Sequence, residues 1–391
     1  MQLNLAPAAV LPADATQGTL IARVWVPGAP PGPAVAVLRD EGVFDLSRHI
    51  PTIADLLAHP DPVALVRDSD GPRIGDLAEI LENTPDAAPD KAHLLAPVDL
   101  QPIKACGVTF ASSLLERVIE EQARGNPAEA DRIRRTLGEE IGIDLRGLVP
   151  GSAQAMRLKE ALVARDLWSQ YLEVGIGPDA EVFTKAPPMS AVGCGQWIGL
   201  HPASHWNNPE PEVVLAVSPD GRILGAMLGN DVNLRDVEGR SALLLGKAKD
   251  NNASCALGPF LRLFDERFSL DDVRRCQVSL TVAGDDGFVL EGASSMTEIS
   301  RDVADLVGQT LNRNHQYPDG VVLFTGTLFA PVADRDQPGS GFTHHPDDVV
   351  TISAPQLGSL VNRVTTSDRA PPWSFGLNAL MRNLATRGLL R

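Results

Sequence analysis

An α+β, β-rich fold is predicted by two features of this 391-residue chain. From Glu181 onward, short apolar runs alternate with turn signals, at Pro219-Asp220-Gly221, Asp285-Asp286-Gly287, Pro318-Asp319-Gly320 and Pro346-Asp347-Asp348. Helical spacing is concentrated earlier, between about 113 and 170, with Ser300 to Leu311 as a later interruption. Many short strands and few helices fit a β-roll or sandwich with helices attached.

Taken in order, residues 1–100 read as a small N-terminal α+β domain. Thr19 to Val26 and Ala34 to Leu38 have strand character on either side of a Pro/Gly segment, and Ile53 to Leu57 and Ile74 to Glu82 have helical spacing. Ala88 to Pro102 reads as a linker. Residues 101–391 then form the main domain, opened by a buried strand over Ile103 to Phe110. Leu114, Leu115, Val118 and Ile119 make one helix face, ending near Gly125. Asn126-Pro127 starts a second helix, with Asn as cap and Pro in the first turn, and Ser152 starts a third that runs toward Trp168.

Composition sets outer limits. Hydrophobic residues make up 43% and charged residues 21%, as in ordinary globular proteins, and the formal net charge is −16. That charge argues against nucleic acid and anionic membrane as partners. No apolar run reaches the ~18 residues of a membrane span, and the N-terminus lacks a basic leader region, so a cytoplasmic location is expected. Cys106, Cys194, Cys255 and Cys276 have no metal spacing and read as buried free thiols. No histidine has zinc-ligand spacing with a cysteine. His344 and His345 read as a surface loop.

The chemistry is concentrated in NNPEPEVVLAVSPDGRILGAMLGNDVNLRD. Glu210 and Glu212 are two apart, so on a strand they share a face. With Asp220-Gly221 at the loop centre, position 210 pairs with 231 and 212 with 229, and Asp231 faces Glu210. Three carboxylates spaced near 6 Å repel by roughly 3 kcal/mol per pair at an effective dielectric of about 20. A hard divalent cation relieves this, Mg²⁺ first, with Ca²⁺ or Mn²⁺ as the other ions such a set takes. Solvated acids on a surface hairpin are the other reading of the same residues.

Several segments in the right order resemble the fumarylacetoacetate hydrolase family over residues 103 to 366. They are Glu181-Val-Phe-Thr-Lys-Ala-Pro, Glu210-Pro-Glu212, Asn230-Asp231-Val232 with Arg235-Asp236, Lys249 with Ser254-Cys-Ala-Leu-Gly-Pro259, Thr325-Gly326-Thr327, and Gly358 to Val364. The resemblance implies a β-roll catalytic domain, Mg²⁺ on Glu210, Glu212 and Asp231, a 2-oxo acid substrate, and a homodimer or homotetramer. Hydrolases of the family open the domain with a GxNYxxHxxE-like pattern whose His serves the water-activating base. Here the stretch is Gly107 to Glu116, and the His position holds Ser113, a hydroxyl too weak to replace imidazole.

The run Lys247-Ala-Lys249-Asp-Asn-Asn-Ala-Ser-Cys-Ala-Leu-Gly-Pro259, with GVTF and PEPE, resembles the dehydratase branch of the family, which implies dehydration of a 2-keto-3-deoxypentonate to 2-oxoglutarate semialdehyde. The alternatives are a hydrolase splitting the C–C bond of a 2,4-diketo-3-deoxy sugar acid, and an oxo-acid binding protein. The expected roles are Lys249 as a base whose pKa is lowered beside a cation, and Glu116 as general acid. Thr327 and the Gly326 amide are expected to hold the substrate carboxylate, and Arg235 to order the metal loop beside the substrate. Ser113 is expected to touch the substrate, and Ser113 and Glu116 also read as a helix capping box.

Overall fold

A computed structural model describes residues 2–140, 148–164, 168–329 and 331–390. The first five strands are β1 (Leu20–Val26), β2 (Gly32–Arg39), β3 (Gly42–Asp45), β4 (Arg73–Gly75) and β5 (His93–Leu95). Next come β6 (Ile103–Gly107), β7 (Glu181–Ala186), β8 (Trp197–Leu200), β9 (Asn207–Asn208), β10 (Pro211–Val217), β11 (Ile223–Asp231) and β12 (Asn233–Leu234). The last are β13 (Cys255–Leu263), β14 (Gln277–Ala283), β15 (Val289–Ser295), β16 (Val321–Phe324), β17 (Val349–Ala354) and β18 (Gly358–Thr366).

Eleven strands join in one sheet, in the order β4-β3-β2-β1-β13-β11-β10-β16-β6-β7, with β5 on β1. A second sheet runs β15-β14-β17-β18-β8. Every position of β10 and β13 is buried, as expected of strands covered on both faces. The pleat divides β10 between two cores. Val213, Leu215 and Val217 pack with Leu280, Val282 and Ile352 of the second sheet. Val214 and Ala216 pack on the other face with Phe324, Leu257, Ile53 and Leu57. This double-layered, β-rich arrangement with helices agrees with the α+β expectation.

The stretch expected as a linker is built into the sheet instead. β5 pairs with β1 at Trp25↔His93, Val24↔Leu94 and Arg23↔Leu95, and Leu94, Ala96 and Val98 are buried. β1 in turn pairs with β13 through Leu20↔Arg262 and Ile21↔Leu261. Strands from the first hundred residues thus continue the sheet that carries the acids.

The helical segment starts one turn earlier than the capping-box reading places it. The helix spans Ala111–Ala123 with Phe110 as N-cap, so Ser113 is inside the first turn and is not the cap. The side chain of Ser113 lies outside the described residues. The helix ends as expected, with Arg124 and Gly125 left-handed at φ 51° and 74°. Asn126 then caps the Pro127–Glu140 helix through the Ala128 N–H at 3.1 Å, and Ser152 caps Ala153–Val163. The end of that predicted helix, residues 165–167, lies outside the described residues.

No described helix is long and apolar enough to cross a membrane. All four cysteines are free and buried. Burial pushes Cys194, Cys255 and Cys276 up to about 12, so these thiols are inert.

Candidate metal centre

The hairpin has the register the sequence predicts. Glu212 pairs with Gly229 and Pro211 with Asn230, and the Asp231 N–H donates to the Glu210 carbonyl at 3.0 Å. The even-numbered file of β10 therefore runs from apolar Ala216 and Val214 to Glu212 and Glu210, with Asp231 opposite. Carboxylate oxygens of Glu210, Glu212 and Asp231 lie within 4.8 Å of one another, all buried. They form the one such cluster among the described residues. A solvated surface hairpin is thereby ruled out.

Each acid is held differently. Glu212 accepts the Gly326 N–H at 2.6 Å. Burial first, then Asp231 and Glu210, push Glu212 well above the usual carboxylate range. Glu210 is bonded by Arg117 and by Lys249, yet burial still leaves its pKa raised. Asp231 has Lys185 at 2.7 Å and Lys249 at 3.1 Å. Burial pushes Asp231 up, but the two ammonium groups outweigh it and lower its pKa. Three hard oxygen donors, two of them with proton affinities raised by burial and then by neighbouring carboxylates, fit a divalent cation, which favours the all-ionised set.

Lys249 is 2% exposed and bridges Glu210 and Asp231, with its Nζ also 5.7 Å from the Phe183 ring centroid. Burial pulls its pKa down, but Asp231 and Glu210 outweigh that and raise it above the ordinary lysine value. From the protein's own charges the amine is therefore a held cation, not the depressed base expected. Lys247, two residues earlier, is exposed, so only Lys249 belongs to the site.

A second layer supports the first. Arg117, on the Ala111–Ala123 helix, also pairs with Glu120 at 2.6 Å and Glu238 at 2.9 Å. Arg235 was expected beside the substrate. Its guanidinium instead joins Glu120 at 2.6 Å, Glu116 at 3.2 Å and the Pro331 carbonyl at 2.8 Å, and lies 4.5 Å from the Trp206 ring. Arg235 thus ties the helix to the 328–345 loop. Glu116 is its ion-pair partner, 15% exposed. The Gly326 N–H is engaged by Glu212, and the Thr327 hydroxyl donates to the Phe329 carbonyl at 2.9 Å. Neither donor faces an open substrate position as expected.

Arg117, Lys185, Glu181 and Glu238 were missed. The alternation of Glu181, Phe183 and Lys185 along β7 was a signal for two of them, since residues two apart share a face. Lys185 is fully buried and also donates to the carbonyls of Val232, at 3.0 Å, and Lys249. Glu181 sits opposite Gly107, where a Cβ would come within 1.9 Å of its Oε2. Burial, then Glu238, push Glu181 from 4.5 up to about 7. His344, expected on a surface loop, is buried and bonded to Asp348 at 3.2 Å.

Residues 180–365 match the fumarylacetoacetate hydrolase C-terminal family. This stretch is similar to a fumarylacetoacetate hydrolase C-terminal domain. It holds all three acids, Lys185 and Lys249. The chain is 28% identical over 331 residues to a probable 2-keto-3-deoxyxylonate dehydratase of Haloferax volcanii, covering 84% of this chain and 94% of that protein. It is 31% identical over 187 residues to a 2-dehydro-3-deoxy-D-arabinonate dehydratase of Saccharolobus solfataricus, 47% of this chain and 58% of that one. The fold is shared with a 2-keto-3-deoxy-D-arabinonate dehydratase complexed with magnesium and 2,5-dioxopentanoate, at TM-score 0.61 and 21% identity, covering 89% of this chain and 99% of that one. It is shared too with a fumarylacetoacetate hydrolase from Exiguobacterium antarcticum, at TM-score 0.54, 16% identity and the same coverage.

Proposed function

We propose that the chain is a Mg²⁺-dependent hydro-lyase that converts a 2-keto-3-deoxypentonate to 2-oxoglutarate semialdehyde, which is 2,5-dioxopentanoate. The observation that carries the reading is the buried carboxylate triad and its charge balance. Glu116, Glu120, Glu210, Glu212, Asp231 and Glu238 face Arg117, Lys185, Lys249 and Arg235, two carboxylates in excess. A divalent ion on Glu210, Glu212 and Asp231 cancels that excess, so a monoanionic oxo acid meets no net repulsion there. The relatives' names supply the substrate class.

A bound Mg²⁺ supplies Lewis-acid stabilisation of negative charge on the substrate's carboxylate and ketone oxygens. Lys249 Nζ, once neutral, accepts a proton from C3. Glu181, with a pKa near 7, donates to the C4 hydroxyl as it leaves as water. Glu116, the acid expected from the sequence, is committed to Arg235, which makes Glu181 the better donor. A proton shift from C5 to C3 then turns the enone into the C4=C5 enol, and transfer of the C5 hydroxyl proton to C4 gives the aldehyde, so water is the net loss. Thr327 serves as a wall of the site. Arg117 holds Glu210 in place, and Lys185 holds Asp231 and lowers its pKa.

The test is incubation with Mg²⁺ and 2-keto-3-deoxypentonates of both C4 configurations, reading semialdehyde formation. Release of pyruvate from a 2,4-diketo-3-deoxy sugar acid, with no semialdehyde from the pentonates, would overturn the reading in favour of C–C hydrolysis. The free buried thiols support a reducing compartment such as the cytoplasm. Exposed Trp373, Leu377 and Met381 on and beside the Leu377–Thr386 helix support self-association into a dimer or tetramer, read by light scattering.

A further inference from the structure

Beyond the acids, past short breaks at residues 209–210 and 232, lies a separate two-stranded ladder. β9 and β12 pair Asn208 with Asn233 in the same register that pairs Glu212 with Gly229. One rung separates Asn208 and Asn233 from Glu210 and Asp231, a backbone step of about 7 Å on the same face of the hairpin. Directly opposed residues have Cβ atoms about 4.5–5.5 Å apart, so the pairing sets the two asparagines side by side, one rung from the acids along the chain.

Both asparagines are fully buried. Among the described residues, Asn233 finds no hydrogen-bond partner for either Oδ1 or Nδ2, and Asn208 Oδ1 is likewise without one. Asn208 Nδ2 reaches only the Pro209 carbonyl, at 2.9 Å. Neighbouring Asn207 differs, since its Oδ1 accepts from the His344 N–H and its Nδ2 donates to Ser204. Asn230 lies on the other face by alternation, and its Oδ1 accepts the Glu210 N–H at 3.1 Å while its Nδ2, like the Asn208 Oδ1, has no partner among the described residues. A buried amide without a partner costs about 1–3 kcal/mol, so a wholly unpaired one marks a place built for a ligand.

We infer that Asn208 and Asn233 are positioning residues for the metal centre, hydrogen-bonding the water ligands of the ion held by Glu210, Glu212 and Asp231. The inference rests on the metal reading given above. Three carboxylates leave part of an octahedral shell to water, and such waters need both donors and acceptors. An amide pair offers both without adding charge to a crowded anionic cluster. Groups that hold a metal's ligands in this way typically change its affinity by ~10–100-fold when removed.

The experiment uses the full chain and Mn²⁺ as the probe. Mn²⁺ dissociation constants are measured by electron paramagnetic resonance, and bound-water exchange by proton relaxation, for wild type, Asn233→Leu and Asn208→Leu. Leucine matches the volume and removes the amide, so the metal-free melting temperature should hold or rise. Mn²⁺ affinity should fall ~10–100-fold, with altered water relaxation. Unchanged affinity and relaxation in both variants would overturn the inference while leaving the metal site standing. Loss of folding in both without metal would also overturn it, by showing that the amides hold the metal-free fold. Wild type that binds no Mn²⁺ would overturn the metal reading and this inference with it.

Discussion

Lys249 occupies the centre of the acid cluster, bonded to two of the three carboxylates a cation would use. Replacing it with Met should have three separable effects. Turnover should fall at least ~100-fold, as for loss of a proton-transfer group. Metal-free stability should fall by about 3–5 kcal/mol, because buried carboxylates lose a partner, and Mn²⁺ should bind more tightly because a competing ammonium is gone. Retained turnover would end the proposed role. Glu181 gives a pH signature. Its folded pKa, about 7, lies above the usual 4.5, so the fold favours the protonated acid. The stability this contributes is complete below pH 4.5 and is lost as pH rises through 7. In chelator-treated protein, Glu181→Gln should flatten the decline in melting temperature across that window, and an unchanged slope would contradict the assignment. Glu210, Glu212 and Asp231 were legible in the sequence because alternation and one turn bring them together. Arg117 was not, since its partner Glu210 is 93 positions away, and the alternation along β7 that marks Lys185 does not reveal its partner Asp231, 46 positions on.

The β10–β11 hairpin is the element that makes the site, and one glycine in it has a specific reason. Gly229 stands opposite Glu212, and a Cβ there would come within 2.4 Å of Phe324 and 2.5 Å of Val214. Gly229→Ala should therefore cost about 1–3 kcal/mol through overpacking and shift the Glu212 rung. The expected readout is a lower urea midpoint together with weaker Mn²⁺ binding, and an unaffected midpoint would refute the packing argument. The hairpin's register could be read from sequence because its two strands are joined by a short turn. The neighbours β13, β16 and β6 could not be placed that way. Their pairing depends on distant segments meeting, and β16 runs parallel to β6 across more than two hundred residues. The start of the Ala111–Ala123 helix was misjudged for a related reason, because Ser113 and Glu116 have cap spacing but Phe110 ends the preceding extended segment.

Across the whole molecule, the first hundred residues and the catalytic sheet share cores. Ile21, Val35, Leu46, Ile53 and Leu57 pack in one cluster with Val214, Leu257, Leu261 and Phe324. Arg262 also reaches back to Asp14 at 2.8 Å. A protein beginning at residue 101 should accordingly leave the β13 edge and this apolar face uncovered, and should be recovered aggregated or without a cooperative melt. A monomeric, cooperatively melting fragment would establish residues 1–100 as a separable domain. Composition alone suggested separation, because Ala88 to Pro102 reads as a linker. Burial of Leu94 is a tertiary outcome that the sequence does not display. One earlier contact has a practical consequence. Trp206 is almost wholly buried with its indole beneath the Arg235 guanidinium, and that guanidinium also grips Glu116 and Glu120. Any rearrangement of those charges when substrate arrives alters the field felt by the excited ring, so the protein carries its own optical gauge of occupancy, readable by stopped-flow emission without a dye.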